Sequence, residues 1–292
     1  MLVTAIAPIA WGSSYVVTRQ LLPAESPLWG GLLRALPAGV ILLLISRRLP
    51  TGSWWWRSVL LGALNVGGFF VLIYIAGQRL PSSLAATLMS TSALVMVLFA
   101  WAMLRQRPRM IAVLGAVVGL GGVAIMLGFG GGPVDPWGVA ASLGAMIASS
   151  FGYILTARWG SGISAITMSS WQLVGGSVLL IPVALLVEGV PPALTPSSAL
   201  GFAYLTLIAT ALAYVAWFTG LRRLPAGVVG VVGLLNPVTG VLLGVTLAGE
   251  AFGLAQGVGL ALVAGGILLG SLPPIRSRRG SAVLRTQRPV RA

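Results

Sequence analysis

The side chains with the widest chemical scope in this chain lie inside long apolar runs. Near the start, Pro8 is followed by Trp11-Gly12-Ser13-Ser14-Tyr15, and Trp11 and Tyr15, four positions apart, share a helix face. Arg34 has apolar neighbours on both sides, and Asn65, Tyr74, Ser90, Trp171, Gln172, Tyr214, Trp217 and Asn236 punctuate other apolar stretches, together with Trp101 and Tyr153. Hydroxyls, amides, aromatic faces and one guanidinium recognise molecules more readily than they make bonds. The 292 residues include no His, no Cys and only 4 acids. With the acids scattered singly, no nucleophile–base pair, thiolate or metal-holding cluster is expected, and hence no catalytic residue, cofactor or metal. An anionic group on a ligand, such as a carboxylate, is the natural partner of Arg34.

Each of these residues also has a structural reading. Pro8 with Gly12, Ser13 and Ser14 interrupts the first helix, which suits a hinge beside an aromatic wall; close packing of small residues between helices is the alternative. Arg34 either faces a cavity within the membrane or extends its guanidinium to the outer headgroups, and the first reading is preferred because intramembrane charge is rare. Hydrogen bonds between helices account for most polar residues taken one at a time. Taken together they suit a mid-sized, partly apolar organic molecule better than a bare inorganic ion. Asn236-Pro237 breaks a later run, so Pro237 joins Pro8 and Gly12 as a hinge candidate. Glu250 is either a coupling carboxylate or, as preferred here, a group serving the start of the last helix. Gly115-x-x-x-Gly119, Gly121-Gly122 and Gly265-Gly266 point to close helix packing, since a dinucleotide site would need a βαβ context.

The elements that must carry these residues follow from composition. The chain is 57% hydrophobic and 8% charged, with a mean hydropathy of +1.00, whereas soluble domains are about one quarter charged. Apolar segments bounded by Pro, Gly and Arg fall near 2–20, 28–46, 57–77, 83–104, 110–129, 136–156, 166–187, 198–219, 227–248 and 253–271. These predict an all-α integral membrane protein of ten spans, the first retained and not a cleaved signal. All 18 basic residues are Arg. With the N-terminus inside, Arg47, Arg48, Arg57, Arg105, Arg107, Arg109, Arg158, Arg222, Arg223 and the run from Arg276 to Arg291 fall on the cytoplasmic side. Only Arg19 and Arg79 fall outside, so both termini are expected in the cytoplasm. The net charge of +14 is thus a topology signal, with the lipid bilayer and no nucleic acid as partner. Trp54-Trp55-Trp56 suits an interfacial belt.

Shifted back by 144 positions, Arg223 to Gly270 lands on Arg79 to Met126, with Arg-Leu-Pro, an apolar run and a Gly pair recurring in register. Arg34 meets Gln172 at a shift of 138. Two repeats, 1–133 and 134–271, each of five spans, must then run through the membrane in opposite senses, an architecture that places a binding site between halves and permits alternating access. Residues 272–292 read as a disordered basic tail. The halves differ where Ala93 stands opposite Pro237 and Gln106 opposite Glu250.

The segment Ala10 to Thr18, Arg34-Ala35-Leu36-Pro37-Ala38-Gly39, and Asn236-Pro237 through Gly249-Glu250 with a Gly-rich last helix resemble the EamA branch of the drug/metabolite transporter superfamily, nearest its PecM-type members. The resemblance implies a ten-helix carrier in the bacterial inner membrane that exports a pigment, amino acid or drug-like metabolite. A sugar-phosphate or nucleotide-sugar carrier is the alternative within transport, but such substrates call for several intramembrane cations and Arg34 stands alone. A membrane receptor or regulator is the alternative outside it. Substrate, and whether a proton or another ion is coupled, are open at this level.

Overall fold

The computed structural model describes residues 2–104, 110–129, 134–160, 162–223, 232–233 and 235–271. These residues form helices α1 (Leu2–Leu21), α2 (Pro27–Ser46), α3 (Trp54–Gly62), α4 (Gly68–Arg79), α5 (Ser82–Ser90), α6 (Ser92–Leu104) and α7 (Met110–Phe129). They are followed by α8 (Pro136–Trp159), α9 (Ala165–Val187), α10 (Pro196–Thr206), α11 (Ala213–Arg223), α12 (Leu235–Thr246) and α13 (Leu254–Ser271). Two π turns join helices end to end: Ala63–Gly67 links α3 to α4, and Leu207–Leu212 links α10 to α11. No strand occurs among the described residues.

Local chemistry sets the helix starts. Asp135 caps α8 through its Oδ1, which accepts from the Trp137 and Gly138 amides, with Pro136 at the first position where no amide hydrogen is needed. Thr195 and Ser198 form a capping box on α10, and Ser164 caps α9. Two helices are capped from elsewhere in the chain. Glu188 accepts from the Leu28 and Trp29 amides at 2.8 and 2.9 Å at the start of α2, and Glu250 accepts from the Ser82 and Ser83 amides at 2.6 and 3.1 Å at the start of α5. The expectation that Glu250 serves the last helix is corrected: the Gly249 turn, at φ 63, delivers its carboxylate to α5, while Gln256 takes the Gly253 amide.

Five stretches are long and apolar enough to cross a membrane: Pro27–Ser46, Trp54–Arg79, Pro136–Thr156, Ala165–Val187 and Pro196–Gly220. The other expected spans are less regular within the described residues. α5 and α6 are separated at Thr91, and Thr4, Ser13, Ser14, Arg19 and Gln20 lower the hydropathy of α1. The polarity of the bundle is inverted relative to a soluble protein. Leu44, Leu186, Val117 and Leu254 point outward, while Ser142, Ser149, Asn65, Thr210 and Gln172 are buried, as expected when the surroundings are hydrocarbon.

Small residues let the backbones meet. A Cβ on Gly266 would stand 2.8 Å from the Gly119 nitrogen, and one on Gly122 2.9 Å from Leu262 Cβ, so α7 and α13 touch along their glycines. Gly12 of α1 packs in the same way on α12, where a Cβ would meet Thr239 Cβ at 2.8 Å and the Gly240 nitrogen at 3.0 Å.

Candidate functional site

Arg34 sits in the middle of the second helix, 5% exposed. Its Nε donates to Thr210 Oγ1 at 2.7 Å, one Nη donates to the Ala209 carbonyl at 3.1 Å, and the guanidinium lies 4.2 Å from the centroid of the Phe70 ring. Every one of these partners is neutral. The ion pairs among the described residues are Arg19 with Glu250 and Arg79 with Asp135, both remote from it. An Arg at the centre of a membrane helix costs about 2.5–3.5 kcal/mol on insertion scales, and two hydrogen bonds from a charged donor at about 1.5–3 kcal/mol each offset that cost. The charge is tolerated without being neutralised.

The π turn makes those bonds available. Where a helix widens to i→i+5 spacing a carbonyl is left able to accept from outside, and Ala209, within Leu207–Leu212, accepts from Trp11 Nε1 at 3.1 Å as well as from Arg34. Trp11 stacks edge-on against Tyr214 and Trp217, at 6.0 and 5.2 Å between centroids, and Tyr214 meets Phe70 at 6.2 Å. Arg34, Trp11, Tyr214 and Trp217 therefore surround one point, with Phe70 and Thr210 added by the structure.

A second polar cluster adjoins it. Tyr214 donates to the Asn65 carbonyl at 3.0 Å, Asn65 Nδ2 donates to Gln172 Oε1 at 2.8 Å, and Gln172 Nε2 donates to Thr156 Oγ1 at 3.3 Å. Asn65 lies in the other π turn and is fully buried, and its Oδ1 has no hydrogen-bond partner. Gly152 leaves the space it occupies: a Cβ there would stand 2.6 Å from Asn65 Cγ. The two clusters correspond by sequence offset. The π turns begin 144 positions apart, at Ala63 and Leu207, and so do Asn65 and Ala209, and Phe70 and Tyr214. Arg34 and Gln172 are 138 apart, and each reaches from its own half to the π turn of the other. Gly12 packs on the Asn236 carbonyl, and Ser150, 138 positions on, donates to the Ser92 carbonyl at 3.5 Å, with Ser92 and Asn236 again 144 apart.

Other expected site residues lie elsewhere. Tyr15 packs with Ile73, Leu84 and Ala145 and not against Trp11, but it lies within electrostatic reach of Arg34. Tyr74 donates to the Pro23 carbonyl in the loop before α2 and packs over Gly30. Trp171 donates to the Arg48 carbonyl at 2.6 Å and faces Trp54 at 5.7 Å, placing it at the far end of the bundle from the acids. Asn236 is half-buried in the first turn of α12, its Oδ1 without a partner, and Pro237 is buried beside it. Ser90 belongs to α5, and its side chain lies outside the described ones, as does Gln106 altogether. The expected interruption at Pro8 and Gly12 is corrected: α1 is continuous, with the Ser13 and Ser14 hydroxyls donating to the Ala10 and Trp11 carbonyls and Gly12 serving the approach of α12. Thr210, Phe70 and Thr156 were not foreseen, since a Thr or Phe in an apolar run carries no signal until a π turn gathers it.

At the end that holds the acids, Asp135 accepts from Arg79 at 2.8 Å. The Arg79 hydrogen bond, helped by the Gly138 and Trp137 amides, holds its carboxyl below the ordinary 3.8.

The EamA-like transporter family profile matches residues 1–128 and 136–272. The chain is 35% identical to Protein PecM of Dickeya dadantii, covering 94% of this chain and 92% of that protein. It is 29% identical to the uncharacterized transporter YwfM of Bacillus subtilis over 95% of each, and 28% identical to the uncharacterized inner membrane transporter YedA of Escherichia coli K12 over 90% and 88%. A crystal structure at 21% identity superposes with a TM-score of 0.65 over 92% of this chain and 94% of the other. With its apolar membrane-length helices and these relatives, the chain belongs to the EamA-like transporter family and is a multi-pass membrane transporter of the drug/metabolite type.

Proposed function

We propose that this protein exports a small organic metabolite, one carrying an anionic group and a partly apolar or aromatic body, by alternating access across a bacterial inner membrane. The observation that carries this reading is Arg34: a buried cation with only neutral partners, beside Trp11, Tyr214 and Trp217. A carboxylate would exchange places with the Thr210 hydroxyl and the Ala209 carbonyl, and the aromatic rings would cover its body. Gln172, the counterpart of Arg34, is neutral, so the site has one charged end and one amide end. A single anionic group fits that arrangement better than the several charges of a sugar phosphate or nucleotide sugar.

The architecture belonging to this reading is ten spans in two inverted repeats, 1–133 and 134–271, followed by the basic tail 272–292, with both termini cytoplasmic. The paired offsets of 138 and 144, which relate two sets of contacts across the halves, support the repeat. The two repeats also match the two stretches recognised as EamA-like. For orientation, Glu188, Glu250 and Asp135 all lie at the end where Arg19 and Arg79 are paired, opposite the Arg47, Arg48 and Arg57 group.

Comparing the medium of cells with and without the protein tests substrate and direction together. At least one anionic organic metabolite is expected to accumulate outside only when the protein is present. Identical media, with the protein verified in the membrane, would count against export.

A further inference from the structure

At the end of the bundle opposite the acids, α3 opens with Trp54, Trp55, Trp56 and Arg57. Trp55 and Trp56 are exposed, and with Val59, Leu60, Ala63 and Leu179 of α9 they line a groove of about 510 Å³ on the lipid-facing side of the helices. The groove residues of α3 stand at the spacing of one helix face, so the groove climbs from the Trp cluster toward the membrane interior. It ends at Ala63, the first residue of the π turn that holds Asn65.

Arg57 does not line the groove but adjoins it through Trp56, whose ring it approaches. Its guanidinium is 5.6 Å from the Trp54 and Trp56 rings and 5.3 Å from Trp159. The indoles are fixed in turn, Trp56 edge-on to Trp159 at 5.5 Å and Trp54 against Trp171, which is tied to the Arg48 carbonyl. Arg57 Nε is buried and has no hydrogen-bond partner. Arg47 and Arg48 belong to the adjoining loop, while the acids that form ion pairs, Glu250 and Asp135, lie at the other end. The guanidinium thus has aromatic faces around it and no anion.

We propose that this is a binding site for one anionic phospholipid, its phosphate on Arg57 and an acyl chain in the groove between α3 and α9. Charge selects the occupant: a basic, Trp-lined mouth above an apolar channel matches a negative headgroup with a hydrocarbon tail. The aromatic faces hold the guanidinium in place, and its terminal Nη groups, unlike the buried Nε, are left to donate to phosphate oxygens. A tail reaching Ala63 lies directly beside the π turn, which connects the lipid to the polar cluster at Asn65.

The test uses the purified full chain in detergent, titrated separately with dioleoyl phosphatidylglycerol, dioleoyl phosphatidylcholine and inorganic phosphate while the unfolding midpoint is followed. Phosphatidylglycerol is expected to raise the midpoint at lower concentration than phosphatidylcholine, and phosphate alone to have no effect. Arg57→Gln should weaken the phosphatidylglycerol response about fivefold, as expected for one Arg facing an anionic lipid; Arg57→Lys should retain the preference, and Leu179→Trp, which fills the groove, should weaken both lipids alike. Equal responses to the two lipids, a full response to phosphate alone, or a dimer that shields Trp55 and Trp56 would overturn the proposal. So would unchanged phosphatidylglycerol binding in Leu179→Trp, a readout that remains if Arg57→Gln does not fold.

Discussion

Arg34 is held by interactions that a ligand can replace, and each can be removed singly. Thr210→Val deletes the 2.7 Å bond to Nε while keeping the volume, and a hydrogen bond to a charged group is worth about 1.5–3 kcal/mol. Such a loss in the substrate-free protein should appear as a lower unfolding midpoint, with transport retained if the ligand supplies its own acceptor. Gly152→Ala acts on the other cluster. Its Cβ would stand 2.6 Å from Asn65 Cγ, displacing the amide from Gln172 at a cost of about 1–3 kcal/mol for overpacking. Chemical denaturation in detergent checks this, and the reverse expectation, a neutral substitution, would show that Asn65 has room to turn. Arg34, Trp11, Gln172, Asn65, Tyr214 and Trp217 were legible in the sequence because polar and aromatic groups in hydrocarbon are conspicuous. Thr210 and Ala209 were not, because their contribution depends on a backbone widening that no side chain announces. Trp171 was conspicuous for the same reason as Trp11, yet it anchors to Arg48 at one end of the bundle; residue type alone does not give depth.

The helices show how acids and glycines divide the work between positioning and approach. Asp135 both caps α8 and accepts from Arg79, and its carboxyl is held below the ordinary 3.8. Because the folded value is depressed, the stabilisation is present above the ordinary value and is lost as pH falls through the lower, folded one. The unfolding midpoint of the wild type should therefore fall as pH drops from the ordinary value toward the lower, folded one, whereas Arg79→Gln should show a smaller fall and Asp135→Asn should lack this component. Gly12→Leu should separate α1 from α12, at a cost of about 1–3 kcal/mol, since even a Cβ would stand 2.8 Å from Thr239 Cβ. Helix limits were largely readable, because Pro136, Pro196 and Pro27 mark starts and Arg47 and Gly160 follow ends. The long-range caps were not: Glu188 and Glu250 serve α2 and α5 across more than 150 positions, a pairing that only the packed bundle creates. Continuity of α1 through Pro8 and Gly12 was also hidden, since Pro followed by Gly-Ser-Ser reads in sequence as a feature that loosens a helix.

At the scale of the whole molecule, the charge distribution and the paired offsets describe one arrangement. The acids and their Arg partners occupy one end, the unpaired Arg and Trp groups the other, and the contacts of Arg34 and Gln172 relate the halves by exchange of roles. The chain contains no Cys, so a single introduced thiol reports topology directly. Ser53→Cys should react with a membrane-impermeant maleimide only after cells are opened, and Ser197→Cys in intact cells; the opposite pattern would invert the proposed orientation. The central claim is that Arg34 receives an anionic group on the transported molecule, and flux in proteoliposomes tests it most directly. Organic acids with an aromatic body and the matching uncharged amides are loaded as pairs, with wild type, Arg34→Ala and Arg34→Lys reconstituted at equal folded amounts. The account predicts that wild type moves at least one acid and not its amide, and that Arg34→Ala loses at least about tenfold in rate, in keeping with the strength of a charge-assisted, bidentate contact. Equal flux of acid and amide, or undiminished flux in folded Arg34→Ala, would contradict it.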